Sequence, residues 1–106
     1  MIIKKTTSGD NTILVEIEGS LSGDESVHEL ENLLAELEKS AQRHITLNFL
    51  KVPAINSANL GKLFLFFNKI RTEGRTLRIK GCSDTLYKTF QLIEMENHIP
   101  YEREAP

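Results

Sequence analysis

Histidine and cysteine are the side chains most able to bind a metal ion or to act as nucleophiles, and this sequence scatters them. His28, His44 and His98 fall in a predicted helix, at the start of a predicted strand and in the C-terminal tail, without cysteine or carboxylate at zinc-ligand spacing. Cys82 follows a glycine at the end of a predicted strand, and no histidine lies near it in sequence to act as a base. We predict no metal site and no catalytic residue, and we interpret Cys82 as a small, half-buried side chain.

Phosphate-binding and charge patterns are equally unspecific. The segment from Gly19 to Gly23 precedes a helix, but it lacks the lysine and hydroxyl residue that follow in a phosphate-binding loop. The glutamates of that helix form a face of mixed charge, which is typical of a solvated surface and not of an acid/base pair. Arg75, Arg78 and Lys80 surround one predicted strand, where they either contribute to a docking surface or serve solubility. Neither a nucleotide site nor a cofactor is predicted.

The most informative segment is the turn formed by residues 54–61. A buried strand ends at Pro53 and a helix begins within a few residues, so the first N–H groups of that helix have no intrahelical partners. Asn56 or Ser57 can cap them, and a capping residue needs no other role. The alternative is that Ser57 is exposed at the end of a central strand, where its hydroxyl is open to modification or to partner contact.

Length and charge set the class of protein. A chain of 106 residues predicts one domain, residues 1–106, and its 40% hydrophobic and 26% charged residues are close to globular averages. The net charge of −2 removes the cationic surface that nucleic-acid binding needs. The longest apolar run, residues 63–67, is far shorter than the roughly 20 residues of a membrane span. With a single cysteine and no signal-peptide pattern, we predict a cytoplasmic location.

Hydrophobic periodicity predicts the first half of the fold. Ile13, Val15 and Ile17 alternate with polar residues and, with the apolar start of the chain and the turn-rich residues 6–11, predict a β-hairpin. A helix follows, because apolar residues recur at helical spacing. Its predicted inner face comprises Val27, Leu30, Leu34, Leu37 and Ala41. Residues 44–52 then read as a buried central strand that a proline ends.

The second half predicts two further helices around a strand. One helix runs from Leu60 to the glycine cap at Gly74, with Leu60, Leu63, Phe64, Phe67 and Ile70 on one face. Residues 76–81 form a strand, and Ser83 or Asp84 caps a third helix with Leu86, Phe90 and Ile93 inside. Residues 97–101 pack as a tail, and residues 102–106 are expected to fray.

This order predicts an α/β fold with a mixed sheet of four to five strands. The antiparallel hairpin lies at the N-terminal edge, the later strands are parallel, and three to four helices pack on the sheet.

Three stretches resemble the STAS domain family of bacterial anti-sigma factor antagonists. Residues 15–21 are similar to the family's second strand with its hydrophobic-x-Gly-x-Leu ending, and residues 45–61 to its central strand and Asp-Ser-Ser/Thr-Gly-Leu-Gly turn. Residues 74–79 and 86–95 look like its last helix-to-strand step and its third helix. The resemblance covers nearly the whole chain and implies a protein-binding domain that is not an enzyme.

The resemblance implies that Ser57 is phosphorylated by an ATP-dependent anti-sigma factor kinase, and a serine phosphatase is a further implied partner. The motif departs from the family at Asn56, Ala58 and Asn59, which replace an aspartate, a hydroxyl residue and a glycine. Leu65 falls opposite the apolar stripe of its helix. The predicted partner-binding residues are Asn56, Ser57, Ala58, Asn59, Gly61, Lys62, Leu65 and Phe66. The alternative is a non-phosphorylated scaffold or an accessory subunit of a signalling complex or lipid-transport ATPase, and the oligomeric state stays open.

Overall fold

The computed structural model describes residues 1–82, residues 86 and 88, and the backbone of residues 101–103. Five strands form one sheet in the order β1-β2-β3-β4-β5, with β1 antiparallel to β2 and the other pairs parallel. The elements are β1 (Ile2–Ser8), β2 (Thr12–Glu18), α1 (Asp24–Lys39), β3 (His44–Lys51), α2 (Ser57–Thr72), β4 (Thr76–Cys82) and β5 (Tyr101–Arg103). The predicted mixed sheet with an antiparallel edge hairpin is confirmed.

The N-terminal hairpin forms where the sequence places it. Ile13, Val15 and Ile17 are buried on one face of β2, and Asn11 takes a positive φ of 63° in the turn. Asparagine tolerates this left-handed conformation better than most residues. β1 continues to Ser8, so the strand extends into the predicted turn cluster of residues 6–11.

Both described helices lie on the same face of the sheet. Strands that follow one another in sequence also neighbour one another in space, and right-handed crossovers between them place each connecting helix on one side. The inner face of α1 is formed by Leu30, Leu33, Leu34 and Leu37, which are all buried. The sequence prediction extended this face to Ala41, which is wrong because α1 ends at Lys39 and Ala41 is exposed.

A half-buried arginine closes the C-terminal end of α1. The guanidinium of Arg75 donates to the backbone carbonyls of Leu37 at 2.9 Å, Glu38 at 3.0 Å and Gln42 at 2.9 Å, and to the Ser40 hydroxyl at 3.1 Å. Its side chain is only 11% exposed. The last carbonyls of a helix have no intrahelical donors, so the arginine satisfies them. Arg75 therefore stabilises the fold, a role that differs from both alternatives, docking surface and solubility, that the sequence left open for it.

The second helix begins at Ser57, directly after one of the two predicted cap residues and three residues before Leu60, and it buries a wider face than predicted. Leu60, Leu63, Phe67 and Ile70 are buried as expected, whereas Phe64 is half-buried and Phe66 is buried. Phe66 is buried because α2 also faces α1: it lines a shallow groove with Leu34 and Ala35 of that helix.

At the C-terminal end, the structure changes one prediction and leaves another untested. Glu102 and Arg103 were expected to fray, but they belong to β5 (Tyr101–Arg103), which pairs with β4 through the partners Ile79↔Tyr101 and Cys82↔Arg103. The rest of the segment expected to fray, residues 104–106, lies outside the described residues. Edge backbone groups of β4 gain hydrogen-bonding partners in this way. The predicted third helix and its cap lie largely outside the described residues. Leu86 and Lys88 are helical, and Leu86 is buried.

Candidate functional site

The turn between β3 and α2, residues 54–61, is hereafter the α2 turn. Asn56 is the N-cap of α2: its backbone is extended, with φ −90° and ψ 169°, and its side-chain Oδ1 accepts the N–H of Asn59 at 2.8 Å. The backbone carbonyl of Asn56 accepts the first helical N–H, from Leu60, at 3.0 Å. Of the two residues predicted to cap the helix, Asn56 is the one that does so. The hydroxyl of Ser57 is therefore not needed for capping.

Ser57 is the first residue of α2 and is exposed, as is Ala58 beside it. The first turn of α2 holds no acidic residue, in contrast to α1, which begins with Asp24 and Glu25. The N-terminal end of a helix carries a partial positive charge and N–H groups that point at an incoming anion. An anionic group attached at Ser57 thus meets a favourable field.

Asn59 lies beneath the α2 turn and not on its surface. It is 0% exposed, and its side-chain Nδ2 donates to the Leu21 carbonyl at 2.7 Å and to the Ser26 hydroxyl at 3.0 Å. The Ser26 hydroxyl in turn donates to the Gly23 carbonyl at 2.5 Å. The prediction that Asn59 contacts a partner is corrected by this burial, because the loop that precedes α1 covers it.

That loop, residues 19–23, is hereafter the α1 loop, and sequence reasoning did not include it in the site. Leu21 and Ile55 form a parallel β-bridge. The N–H of Leu21 donates to the Ala54 carbonyl at 2.9 Å, and the N–H of Asn56 donates to the Leu21 carbonyl at 2.9 Å. The side-chain Nδ2 of Asn56 adds a bond to the Ser22 carbonyl at 3.1 Å. The sequence did carry a signal for this contact with the α1 loop. Asn56 and Asn59 replace an aspartate and a glycine of the family motif, and an amide side chain can donate a hydrogen bond where ionised aspartate or glycine cannot.

The outer surface of α2 continues from Ser57. Gly61 and Leu65 are exposed, and Leu65 is 71% exposed. A shallow, mainly apolar depression is lined by Ser57, Leu60, Gly61, Phe64 and Leu65. The predicted exposure of Leu65 is confirmed, and an exposed leucine beside a depression is the kind of surface that partners cover.

The other two predicted contact residues of α2 differ in exposure. Lys62 is partly exposed, and its ammonium lies 2.8 Å from the carboxylate of Glu31 on α1, which lowers the pKa of that glutamate through the hydrogen bond and the charge. Phe66 is only 4% exposed. The prediction that Phe66 contacts a partner is therefore corrected by its burial against α1.

The remaining reactive groups do not join the α2 turn. Cys82 is buried, and burial raises the pKa of its thiol to about 12, so it is neither the half-buried side chain expected nor a ready nucleophile. His44 is bonded through Nδ1 to the Thr76 hydroxyl at 2.8 Å. Within the described residues, no three potential metal ligands come together. Nor does this part of the chain contain a helix long and apolar enough to cross a membrane.

Comparison with solved structures identifies similar folds. The anti-sigma factor antagonist SpoIIAA in its unphosphorylated form has a TM-score of 0.71 and 16% identity, covering 99% of this chain and 90% of that chain. SpoIIAA in the phosphorylated form, a Bacillus cell fate determinant, has a TM-score of 0.70 and 15% identity, covering 94% and 90%. TM1081 of Thermotoga maritima, assigned as an anti-sigma factor antagonist, has a TM-score of 0.79 and 14% identity, covering 94% and 85%.

A transporter-related protein has the same fold. A sulfate transporter family protein from Wolinella succinogenes has a TM-score of 0.70 and 20% identity, covering 91% of this chain and 80% of that chain. No curated protein matches the chain by sequence. At these identities the structural likeness establishes the fold. A family model for the STAS domain matches residues 3–105, so the chain belongs to the STAS domain family.

Proposed function

We propose that this chain is an anti-sigma factor antagonist of a bacterial partner-switching pathway. Acting in the cytoplasm as one domain, residues 1–106, it binds an anti-sigma factor that is also a serine kinase, and phosphorylation at Ser57 weakens the complex. It is a binding domain and not an enzyme, and a serine phosphatase restores it. The observation that carries the proposal is the exposed position of Ser57 at the start of α2, beside an apolar depression.

The chemistry needs only a hydroxyl that a kinase can reach. The Ser57 oxygen attacks the γ-phosphorus of ATP, the bond from that phosphorus to the bridging oxygen of ADP breaks, and a base on the kinase takes the hydroxyl proton. Because Asn56 supplies the cap oxygen, modification of Ser57 leaves the start of α2 intact. The product carries about −1.5 to −2 charges at the helix N-terminus, where the helix dipole favours an anion.

The same charge disfavours a partner that covers the α2 turn. The depression beside Ser57 is bordered by Gly61 and Leu65, so a partner seated there must take the phosphate out of water. Removing an ionised group from water without a paired charge is strongly unfavourable. Phosphorylation therefore acts mainly on the bound state, while the free domain accommodates the phosphate at its helix N-terminus.

The direct experiment uses the purified chain, ATP and the anti-sigma factor serine kinase of the same organism. We expect mass spectrometry to map one phosphate to Ser57, and S57A to remain unmodified while still binding the kinase. The matched control is S8A, because Ser8 is an exposed serine at the end of the edge strand β1, in the N-terminal hairpin. If S57A is phosphorylated as fast as the wild type, Ser57 is not the acceptor.

A second candidate function is a non-phosphorylated STAS scaffold, such as an accessory subunit of a signalling complex or a lipid-transport ATPase. Two observations favour it: the altered motif residues Asn56, Ala58 and Asn59, and the shared fold with a sulfate transporter family protein. Co-purification of the tagged chain separates the two functions. A kinase recovered with the wild type but not with S57D supports the switch, whereas a transporter ATPase recovered with both wild type and S57D supports the scaffold.

A further inference from the structure

We propose that Asn59 is a positioning residue that holds the α2 turn against the α1 loop, so that a partner recognises Ser57 and Ser22 as parts of one surface. The proposal rests on the proposed function, because it names further residues of the same partner site. It depends on contacts in the free protein, which are testable without a partner. Asn59 itself touches no partner, since it is fully buried.

Asn59 connects three segments of the chain through its backbone and its side chain. Its backbone N–H donates to the cap oxygen of Asn56 in the α2 turn. Its side-chain amide donates to the carbonyl of Leu21 in the α1 loop and to the hydroxyl of Ser26 in the first turn of α1. Buried hydrogen bonds of this kind fix relative positions, because breaking one leaves a desolvated polar group without a partner.

Backbone hydrogen bonds continue the connection to the surface. The bridge between Leu21 and Ile55 aligns the two segments, and Asn56 donates from its side chain to the carbonyl of Ser22. This last bond uses the main chain of Ser22, so the side chain of Ser22 is left to face outward. Ser20 and Ser22 are both exposed, and their hydroxyl oxygens lie 2.5 Å apart.

Ser22 and Ser57 consequently project from two segments that cannot shift independently. Asn59 stands where the family motif has glycine, and a glycine has no side chain with which to hold the α1 loop. The partner surface of this chain therefore extends from the α2 turn across Ser20 and Ser22. The partner is the anti-sigma factor kinase of the proposed function, and its contact area includes both hydroxyl-bearing segments.

Amide hydrogen exchange of the full chain tests the positioning role. In N59A we expect the N–H groups of Leu21 and Asn56 to exchange roughly tenfold faster than in the wild type, because local opening becomes easier. The control N68A changes another asparagine of α2, whose side-chain oxygen accepts a hydrogen bond from Arg71 at 3.4 Å. Exchange at Leu21 and Asn56 that is equal in N59A and N68A would overturn the proposal. If N59A unfolds globally, S26A replaces it, with an expected rise of about threefold since one of two partners remains.

Partner binding by two arginine variants tests the shared surface. S22R places a bulky cation on the α1 loop and leaves the main-chain bond to Asn56 intact, whereas T72R places the same group at the other end of α2. We expect S22R to weaken binding of the purified kinase of the same organism at least tenfold, and T72R to leave it within about twofold. N59A should weaken binding while N68A does not. Equal binding by S22R and T72R would overturn the shared surface, even where S57D confirms the switch. Failure of S57D to alter kinase binding would instead refute the proposed function.

Discussion

Replacing Arg75 by alanine is expected to destabilise the fold by about 3 kcal/mol. The guanidinium makes four hydrogen bonds to the end of α1 and to the loop that follows it, three of them to main-chain carbonyls at 2.9–3.0 Å, and its side chain is 11% exposed. A hydrogen bond to a charged group contributes roughly 1.5–3 kcal/mol. Four such bonds do not add, because they share one side chain and because water reaches the carbonyls once the arginine is gone.

The assay is equilibrium unfolding in urea, with a thermal melt beside it. For a domain of this size, a loss of about 3 kcal/mol lowers the Tm by roughly 15 °C. R75K should lose about half as much, because an ammonium cannot reach all four acceptors at once. The control R43A removes an exposed arginine near the same end of the sheet and should change the free energy of unfolding by less than about 0.5 kcal/mol. Equal stability of R75A and R43A would refute the account of how α1 ends.

Three further predictions concern the turn, a glycine and the thiol. N56D should fold with a free energy of unfolding within about 1 kcal/mol of the wild type, since aspartate also caps helices. It should raise the rate of Ser57 phosphorylation if the family's carboxylate assists the kinase. An unchanged rate in the kinase assay would show that the charge is dispensable. G81A should lower the free energy of unfolding, measured by urea titration, by more than about 2 kcal/mol, because Gly81 has φ +78° and a Cβ there would lie 2.6 Å from Asn48 Oδ1 and 2.9 Å from the Leu50 nitrogen. In the control G9A the added Cβ meets nothing within 4 Å, so a similar loss in the two variants would contradict this prediction. The free energy of unfolding should fall as pH rises from 9.0 to about 12, because the unfolded Cys82 thiol ionises first while the buried one stays protonated, and C82A should lose that part of the pH dependence.

The parts of the fold that periodicity determines were predictable from the sequence. The alternation of Ile13, Val15 and Ile17 fixes both the strand and its buried face, and the leucines of α1 do the same for a helix. The predicted cap was narrowed to Asn56 or Ser57, and the structure selects Asn56. The prediction that Ala41 belongs to the inner face of α1 was wrong, because the end of that helix is bound by Arg75, a residue far away in sequence.

The site was harder to predict than the fold, because the burial of its side chains depends on which loops and helices become neighbours. A helical wheel treats α2 alone, so Phe66 reads as a flank of the apolar stripe, although α1 covers it. Asn59 reads as a polar surface residue, although the α1 loop lies over it and takes its hydrogen bonds. The exposure of Leu65 was predicted correctly from its position opposite the apolar stripe of α2, and of the two alternatives for Ser57 the structure shows the exposed one.

The most direct test of the central claim is a binding titration of the purified anti-sigma factor kinase with the unmodified chain, the enzymatically phosphorylated chain and S57D. If phosphate at Ser57 acts through its charge at the partner surface, phosphorylation should weaken binding at least tenfold while the melting temperature of the free domain changes little, and S57A should bind like the unmodified chain. Equal affinities of the phosphorylated and unmodified chains, with the phosphate mapped to Ser57, would contradict the account.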